Sequence, residues 1–241
     1  MIQLADFFRE KHIRSILDIG TGTGDFVAVL KEIFPASKIT GIDPNLESLK
    51  EATLKYSDVT FLEMSGEKLA FEDNSFDLAS ISMALHHLPN ISKTLDEMQR
   101  VTKSGGWIIV NELFSDNLNP AQEVHKMYHH FRSRVDQLTG TSHNETFKKE
   151  EILQIVENSG IEISLHFESN RNGNLIQNPE DVEERVEKMR KILEQVNGSH
   201  ELVKLQVKIN EFREAALKYG FQQATKVVVV GRVGQKSISN D

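Results

Sequence analysis

Residues 17–25 read LDIGTGTGD, in which Gly20, Gly22 and Gly24 alternate with threonines between two acids, Asp18 and Asp25. Glycines let backbone approach a ligand closely, and such loops often hold phosphate on the N-terminal end of the helix that follows. Here the spacing departs from the dinucleotide fingerprint, whose third glycine falls on Asp25. A carboxylate in the first helical turn repels a pyrophosphate placed on the positive end of the helix dipole. The loop therefore suits a ligand that carries positive charge and no phosphate. Asp43, closing the next apolar run just before Pro44, supplies an acceptor for ribose hydroxyls.

Proton chemistry has several candidates. His86 and His87 follow the run FDLASISMAL, and Glu112 lies near the end of WIIVNEL. A HisHis pair can pack and cap a loop before Leu88 and Pro89, or turn a ring toward a ligand. The candidate bases are His86, His87, Glu112 and His129. His125 and His129, four apart, share a helix face, and with Asp136 or His143 they make an alternative divalent metal site. The spacing provides no second ligand pair, so no metal is expected, and His125, His129 and His143 are kept as the alternative. His130 stands beside them.

These groups need elements to hold them. SILDIG (15–20), KITGID (38–43), VTFLEM (59–64), FDLASISMAL (76–85) and WIIVNEL (107–113) read as strands, and DFVAVLKEIF, PNLESLKEATLKY and ISKTLDEMQRVT as the helices between them. Pro44 is placed in the first turn of its helix, and SerGlyGly at 104–106 reads as the stop of the third. Such alternation predicts right-handed βαβ crossovers and a doubly wound parallel sheet covered on both faces. A polar helix over 119–138 follows, then a helix at 148–159, a strand at 161–167 and a last strand, KVVVVGRV (226–233). Within KMYHHFRSR (126–134) the expectation is a solvated helix face.

Between the last two strands, Val182, Val186, Met189, Leu193 and Val196 form one apolar seam, and Leu202, Leu205, Ile209, Phe212 and Ala216 another. AsnGlySer at 197–199 separates them, with Gly198 as helix stop and Ser199 as N-cap. The pattern predicts an inserted antiparallel helical hairpin at about 172–222. Narrow seams that leave apolar surface uncovered would suit a lid or a homodimerisation arm.

LDIGTGTG, GIDPN, FEDNSFDLASISMALHHLPN and QRVTKSGGWIIVNE, taken in order, resemble the successive motifs of class I S-adenosylmethionine-dependent methyltransferases. They are most similar to the small-molecule branch that includes the ubiquinone and menaquinone methyltransferases. The resemblance covers residues 14–113, with weaker similarity through 148–167. It implies a Rossmann-like seven-stranded sheet, mostly parallel with an antiparallel last strand, within a single domain, 1–241, whose segment 117–146 lies on the substrate side. It implies S-adenosyl-L-methionine as cofactor, S-adenosyl-L-homocysteine as product, and methyl transfer to a small-molecule oxygen, nitrogen or carbon nucleophile. The alternative function is a non-catalytic protein that binds the cofactor or its product and regulates. Carried over by position, Gly20, Gly22 and Gly24 pack backbone against the methionine and ribose part, Asp18 sits near the ammonium, Asp43 takes the ribose hydroxyls, and Pro44 lies by the adenine. Ser65 and Gly66 stand where the family has an Asp and a small residue at the adenine amino group, with Glu67 as a substitute acid. Ser82 and Met83 line the methionyl side, with His87 behind.

The chain has 241 residues, 39% hydrophobic and 27% charged, with no cysteine. Disulfides, thiolate metal sites and cysteine-adduct methylation are thereby excluded. A net charge of −8 argues against nucleic acid as partner. MIQLADFFREKHIRS is too polar for a signal peptide, no apolar run suits a membrane, and a cytoplasmic location is expected.

Overall fold

A computed structural model of the protein describes residues 1–169 and 175–234. In chain order the elements are α1 (Ile2–Phe8), β1 (Ser15–Ile19), α2 (Asp25–Ile33), β2 (Lys38–Asp43), α3 (Leu46–Lys55), β3 (Thr60–Glu63), β4 (Phe76–Ser82), α4 (Ile91–Val101), β5 (Thr102–Leu113), α5 (Pro120–Leu138), α6 (Lys149–Asn158), β6 (Glu162–Ser169), α7 (Pro179–Leu193), α8 (Leu202–Tyr219) and β7 (Lys226–Arg232). They form two compact units. Among the described residues the first comprises 1–112, 150–169 and 227–234, and the second 113–149 and 175–226. Residues 172–174 of the expected insertion lie outside the described residues.

The first unit is a seven-stranded sheet in the order β3-β2-β1-β4-β5-β7-β6. β1 pairs in parallel with β2 and β4, β2 with β3, and β4 with β5. The last strand is antiparallel: Gly105 N–H donates to Val233 O at 3.1 Å at one end of β5, while Phe114 N–H donates to Thr225 O at 3.1 Å at the other. Strands buried on both faces read as continuous apolar runs, as in β1, where Ile16, Leu17 and Ile19 are at most 1% exposed. The strand order reverses at β1, with β2 on one side and β4 on the other. In such sheets the crevice beyond the C-terminal strand ends at that point receives ligands. Register brings Asp18 opposite Gly41 and Ser80, and Ser82 opposite Asn111.

Two local expectations are corrected here. Pro44 precedes the N-cap Asn45, whose side chain accepts from Ser48 N–H, so it lies outside α3. Ser104–Gly106 does not form a loop after α4. β5 starts at Thr102, and the pairing with β4 shifts register between Phe76 and Leu78. A Cβ on Gly106 would stand 2.8 Å from Lys103 O and 2.9 Å from Asp77 O, so the two glycines serve an irregularity within a strand.

The second unit is helical. α5 starts with a capping box, in which the Asn119 side chain accepts from Gln122 N–H and the Gln122 side chain accepts from Asn119 N–H. α7 and α8 form the hairpin, and nine of the ten seam positions are buried, Leu202 being half-buried. They form one core with Val124, Phe131 and Val135 of α5. The solvated face expected over 126–134 is therefore wrong: Phe131 and Ser133 are at most 1% exposed, and Met127 and Tyr128 pack on the same core. The seams are covered within the unit, while Val203, Val207, Leu217 and Tyr219 elsewhere on α8 are exposed. Glu201, not Ser199, is the N-cap of α8, and the Ser199 hydroxyl accepts from Glu201 N–H at 3.2 Å. Among the described residues no helix is long and apolar enough to cross a membrane.

Candidate functional site

The loop between β1 and α2 is built by three left-handed glycines, Gly20, Gly22 and Gly24, at φ 64°, 52° and 84°. They differ in what surrounds them. A Cβ on Gly20 would meet the Ala84 Cβ at 2.5 Å, and one on Gly24 the Tyr56 ring at 2.8 Å. Around Gly22 nothing lies within 4 Å of that position. Gly20 and Gly24 thus close the loop on its own protein, and Gly22 presents backbone to open space. Asp43 fixes that lip: its Oδ2 accepts from Gly22 N–H at 2.9 Å and its Oδ1 from Asn45 N–H at 2.8 Å. Both carboxylate oxygens keep further acceptor capacity.

Asp18 lies beneath the loop, 1% exposed. Ser80 Oγ–H donates to its Oδ1 at 2.7 Å, and its Oδ2 has no hydrogen-bond partner among the described residues. Burial pushes the carboxyl from 3.8 up to about 6; the Ser80 and Thr21 hydroxyls oppose this only in part, and the charge of Asp43 adds to it. A buried acid with an unsatisfied oxygen fits a ligand that brings a cationic donor.

Other predicted residues are placed as follows. Met83 has φ 55°, and its N–H donates to Asn111 O at 2.8 Å. A methionine in the left-handed region stores strain that its surroundings must hold. Ser82 Oγ accepts from Asn111 Nδ2 at 2.8 Å. Pro44 is exposed at the rim, and so is Ser65, whose hydroxyl accepts from Glu67 N–H at 3.3 Å. Gly66 is buried, with a Cβ position 2.9 Å from Ile19 and 3.0 Å from Thr94, so close packing requires glycine there. The Glu67 carboxylate accepts from Asn90 N–H at 3.0 Å and thereby ties this turn to the start of α4.

His86 and Glu112 meet. His86 Nδ1 lies 3.0 Å from Glu112 Oε2, with the two side chains 4% and 1% exposed. His87 is exposed, its ring centroid 4.3 Å from that of His86. The sequence marked His86 and Glu112 separately; adjacency of the C-terminal ends of β4 and β5 makes them a pair.

Four histidines of the second unit, His125, His129, His130 and His143, fall in three different settings. His125 faces Phe221, ring centroids 5.3 Å apart, and its Nδ1 accepts from Ala224 N–H at 3.4 Å. Burial, reinforced by Arg185 and Lys226, pulls its pKa down to about 4, so the ring is neutral at pH 7. His130 Nε2 lies 2.8 Å from Thr146 Oγ1. His129 and His143 come together, Nε2 to Nε2 3.3 Å, and His143 Nδ1 is 2.7 Å from Asp136 Oδ2. Of the three histidines in the alternative metal set, two are neighbours and His125 is elsewhere.

A family model described as a methyltransferase domain matches residues 17–110, the segment that carries the loop, Asp43 and the end of β4. A demethylmenaquinone methyltransferase of Chlorobaculum tepidum is 31% identical over 142 residues, 59% of this chain and 57% of the relative. One from Staphylococcus aureus is 35% identical over 119 residues, 48% of this chain and 49% of its own length. The chain spans about half the length of these curated relatives. A crystal structure of an S-adenosylmethionine-dependent methyltransferase from Methanosarcina mazei superposes with a TM-score of 0.58 over 97% of this chain and 98% of the other, at 18% identity, which shows the shared fold. Residues 17–110 are therefore similar to the methyltransferase-domain family, and the chain shares the fold of an S-adenosylmethionine-dependent methyltransferase.

Proposed function

We propose that this protein transfers a methyl group from S-adenosylmethionine to a small-molecule oxygen, nitrogen or carbon nucleophile. The observation that carries the reading is the pairing of Gly22, open to space, with a buried Asp18 whose second oxygen has no partner among the described residues. The cofactor, when bound, supplies a methyl group already activated on a sulfonium. Asp18, ionised at pH 7, holds the ammonium of the methionyl part, with Ser80 orienting the carboxylate. Asp43 keeps the loop closed through Gly22 and accepts from the ribose hydroxyls. Gly20 and Gly24 set the loop's shape, Ser82 and Met83 line the methionyl side, and Pro44, Ser65, Gly66 and Glu67 border the adenine.

In-line displacement needs positioning and a dry site more than covalent help. Where the acceptor must lose a proton, His86 is the base, with Glu112 at its Nδ1 fixing the ring, as a carboxylate–imidazole pair does. His87, exposed beside it, borders the cofactor. The names of the curated relatives support a quinone-type ring as acceptor. The helical unit belongs to the same catalytic domain on this reading, since the chain enters it directly after Glu112 and leaves it at Lys226. The reading also includes a cytoplasmic protein that does not use nucleic acid, consistent with the net charge of −8.

Incubation with S-adenosylmethionine and a panel of phenols, hydroquinones, amines and enolisable carbonyls, read as S-adenosylhomocysteine released, tests the proposal. Acceptor-dependent release that falls at least tenfold in His86→Gln or Glu112→Gln supports it. Tight cofactor binding without release across the panel favours a binding protein instead.

A further inference from the structure

We propose that His129 and His143 bind a divalent transition-metal cation of the zinc class, with Asp136 as the residue that orients His143. The arrangement lies wholly within the helical unit. His129 sits on α5, and His143 in the segment that follows it. That segment is held against the helix: the His143 carbonyl accepts from Ser133 Oγ–H at 2.7 Å and from Gln137 Nε2 at 2.8 Å. The His143 side chain is 4% exposed.

Three features converge on metal chemistry. Asp136 accepts from Arg132 Nε at 2.9 and 3.0 Å, one contact to each oxygen, and so faces His143 as a carboxylate. The 2.7 Å contact to His143 Nδ1 then places the proton on Nδ1 and leaves Nε2 as the lone-pair nitrogen of a neutral ring. A carboxylate that fixes the distal nitrogen in this way is the usual companion of a metal-ligating imidazole. Second, the lone-pair nitrogen points at a second imidazole nitrogen, His129 Nε2, 3.3 Å away. Two ligands about 2.0–2.1 Å from one tetrahedral to octahedral cation stand roughly 2.9–3.4 Å apart, which includes the observed separation. Third, the rings cross at 87° with centroids 4.8 Å apart, so they do not stack face to face.

Two imidazoles and no thiolate suit zinc, cobalt, nickel or iron(II) over magnesium or calcium, which take oxygen ligands. Two protein nitrogens also leave coordination positions for oxygen ligands. A cation there would lower the pKa of a coordinated water or hydroxyl. The competing arrangement is a plain N–H···N hydrogen bond between the two rings, and the test must separate the two.

The full chain is stripped with chelator and titrated with Co2+, then with Zn2+. The proposal expects one saturable equivalent, a visible cobalt absorption band of nitrogen ligation, and its loss when Zn2+ displaces Co2+. His129→Gln and His143→Gln should each weaken binding at least tenfold, and Asp136→Asn by 10–100-fold. His125→Gln, at the ring packed on Phe221, should leave it unchanged. A folded parent chain that takes up no stoichiometric cobalt or zinc overturns the proposal. So does undiminished affinity in folded His129→Gln and His143→Gln, as judged by circular dichroism. The parent-chain titration decides the matter even if a variant fails to fold.

Discussion

Asp18 holds opposing demands of stability and binding in one side chain. With an ordinary value of 3.8 and a folded value of about 6, the folded state binds its proton more tightly than the unfolded chain does. This carboxyl therefore stabilises the fold most below about pH 4, and that stability is lost as pH rises through 6. The loss is on the order of 3 kcal/mol. Asp18→Asn keeps the Ser80 contact without the charge, so its stability advantage over the parent should grow between pH 4 and 6 and stay level above. Chemical denaturation of the ligand-free proteins across that range checks this. The same variant should bind S-adenosylmethionine at least tenfold more weakly at pH 7.5, and the parent should lose affinity as pH falls below 6. The glycines make a paired prediction: Gly22→Ala costs only its left-handed backbone, about 1–2 kcal/mol, but weakens cofactor binding. Gly24→Ala adds a clash with Tyr56 and should melt lower than Gly22→Ala. The sequence marked Asp18 and the glycines as candidates. It did not distinguish them, because the Tyr56 and Ala84 contacts come from residues far along the chain.

The strand–helix alternation and the two hairpin seams were readable because burial imposes a period on each element, 2 or continuous in the sheet and 3.6 in the helices. Phe212, fully buried on α8, and Val203, 69% exposed on the same helix, make a direct comparison. Phe212→Ala should cost about 3–5 kcal/mol, and Val203→Ala less than about 0.5 kcal/mol, both read from urea midpoints. What local pattern misassigned had competing physics. Gly105 and Gly106 carry the composition of a helix stop, yet a register shift inside β5 uses the same freedom. Polar residues in 126–134 suggested solvent, but Phe131, with Met127 and Tyr128 beside it, turns that helix inward, and Ser133 is buried because it bonds the His143 carbonyl. Ser199 has the right chemistry for an N-cap, but the helix starts two residues later and takes its hydroxyl from outside.

At the scale of the molecule, the sheet order 3-2-1-4-5-7-6 brings the Gly20–Gly24 loop, Asp43, Ser82 and Glu112 to the C-terminal ends of neighbouring strands. Four short motifs separated by tens of residues thus belong to one sheet edge, which is why their order along the chain was informative about the ligand. Pairings such as His86 with Glu112 and His129 with His143 have no sequence period, since they depend on strand adjacency and on a folded-back loop. Calorimetric titration of the full chain at pH 7.5 shows whether the loop selects a cationic, phosphate-free nucleoside. Saturable one-to-one binding of S-adenosylmethionine and S-adenosylhomocysteine is expected, with no heat of binding from NADH. Binding of NADH, or failure of both sulfur nucleosides to bind the folded protein, would contradict it.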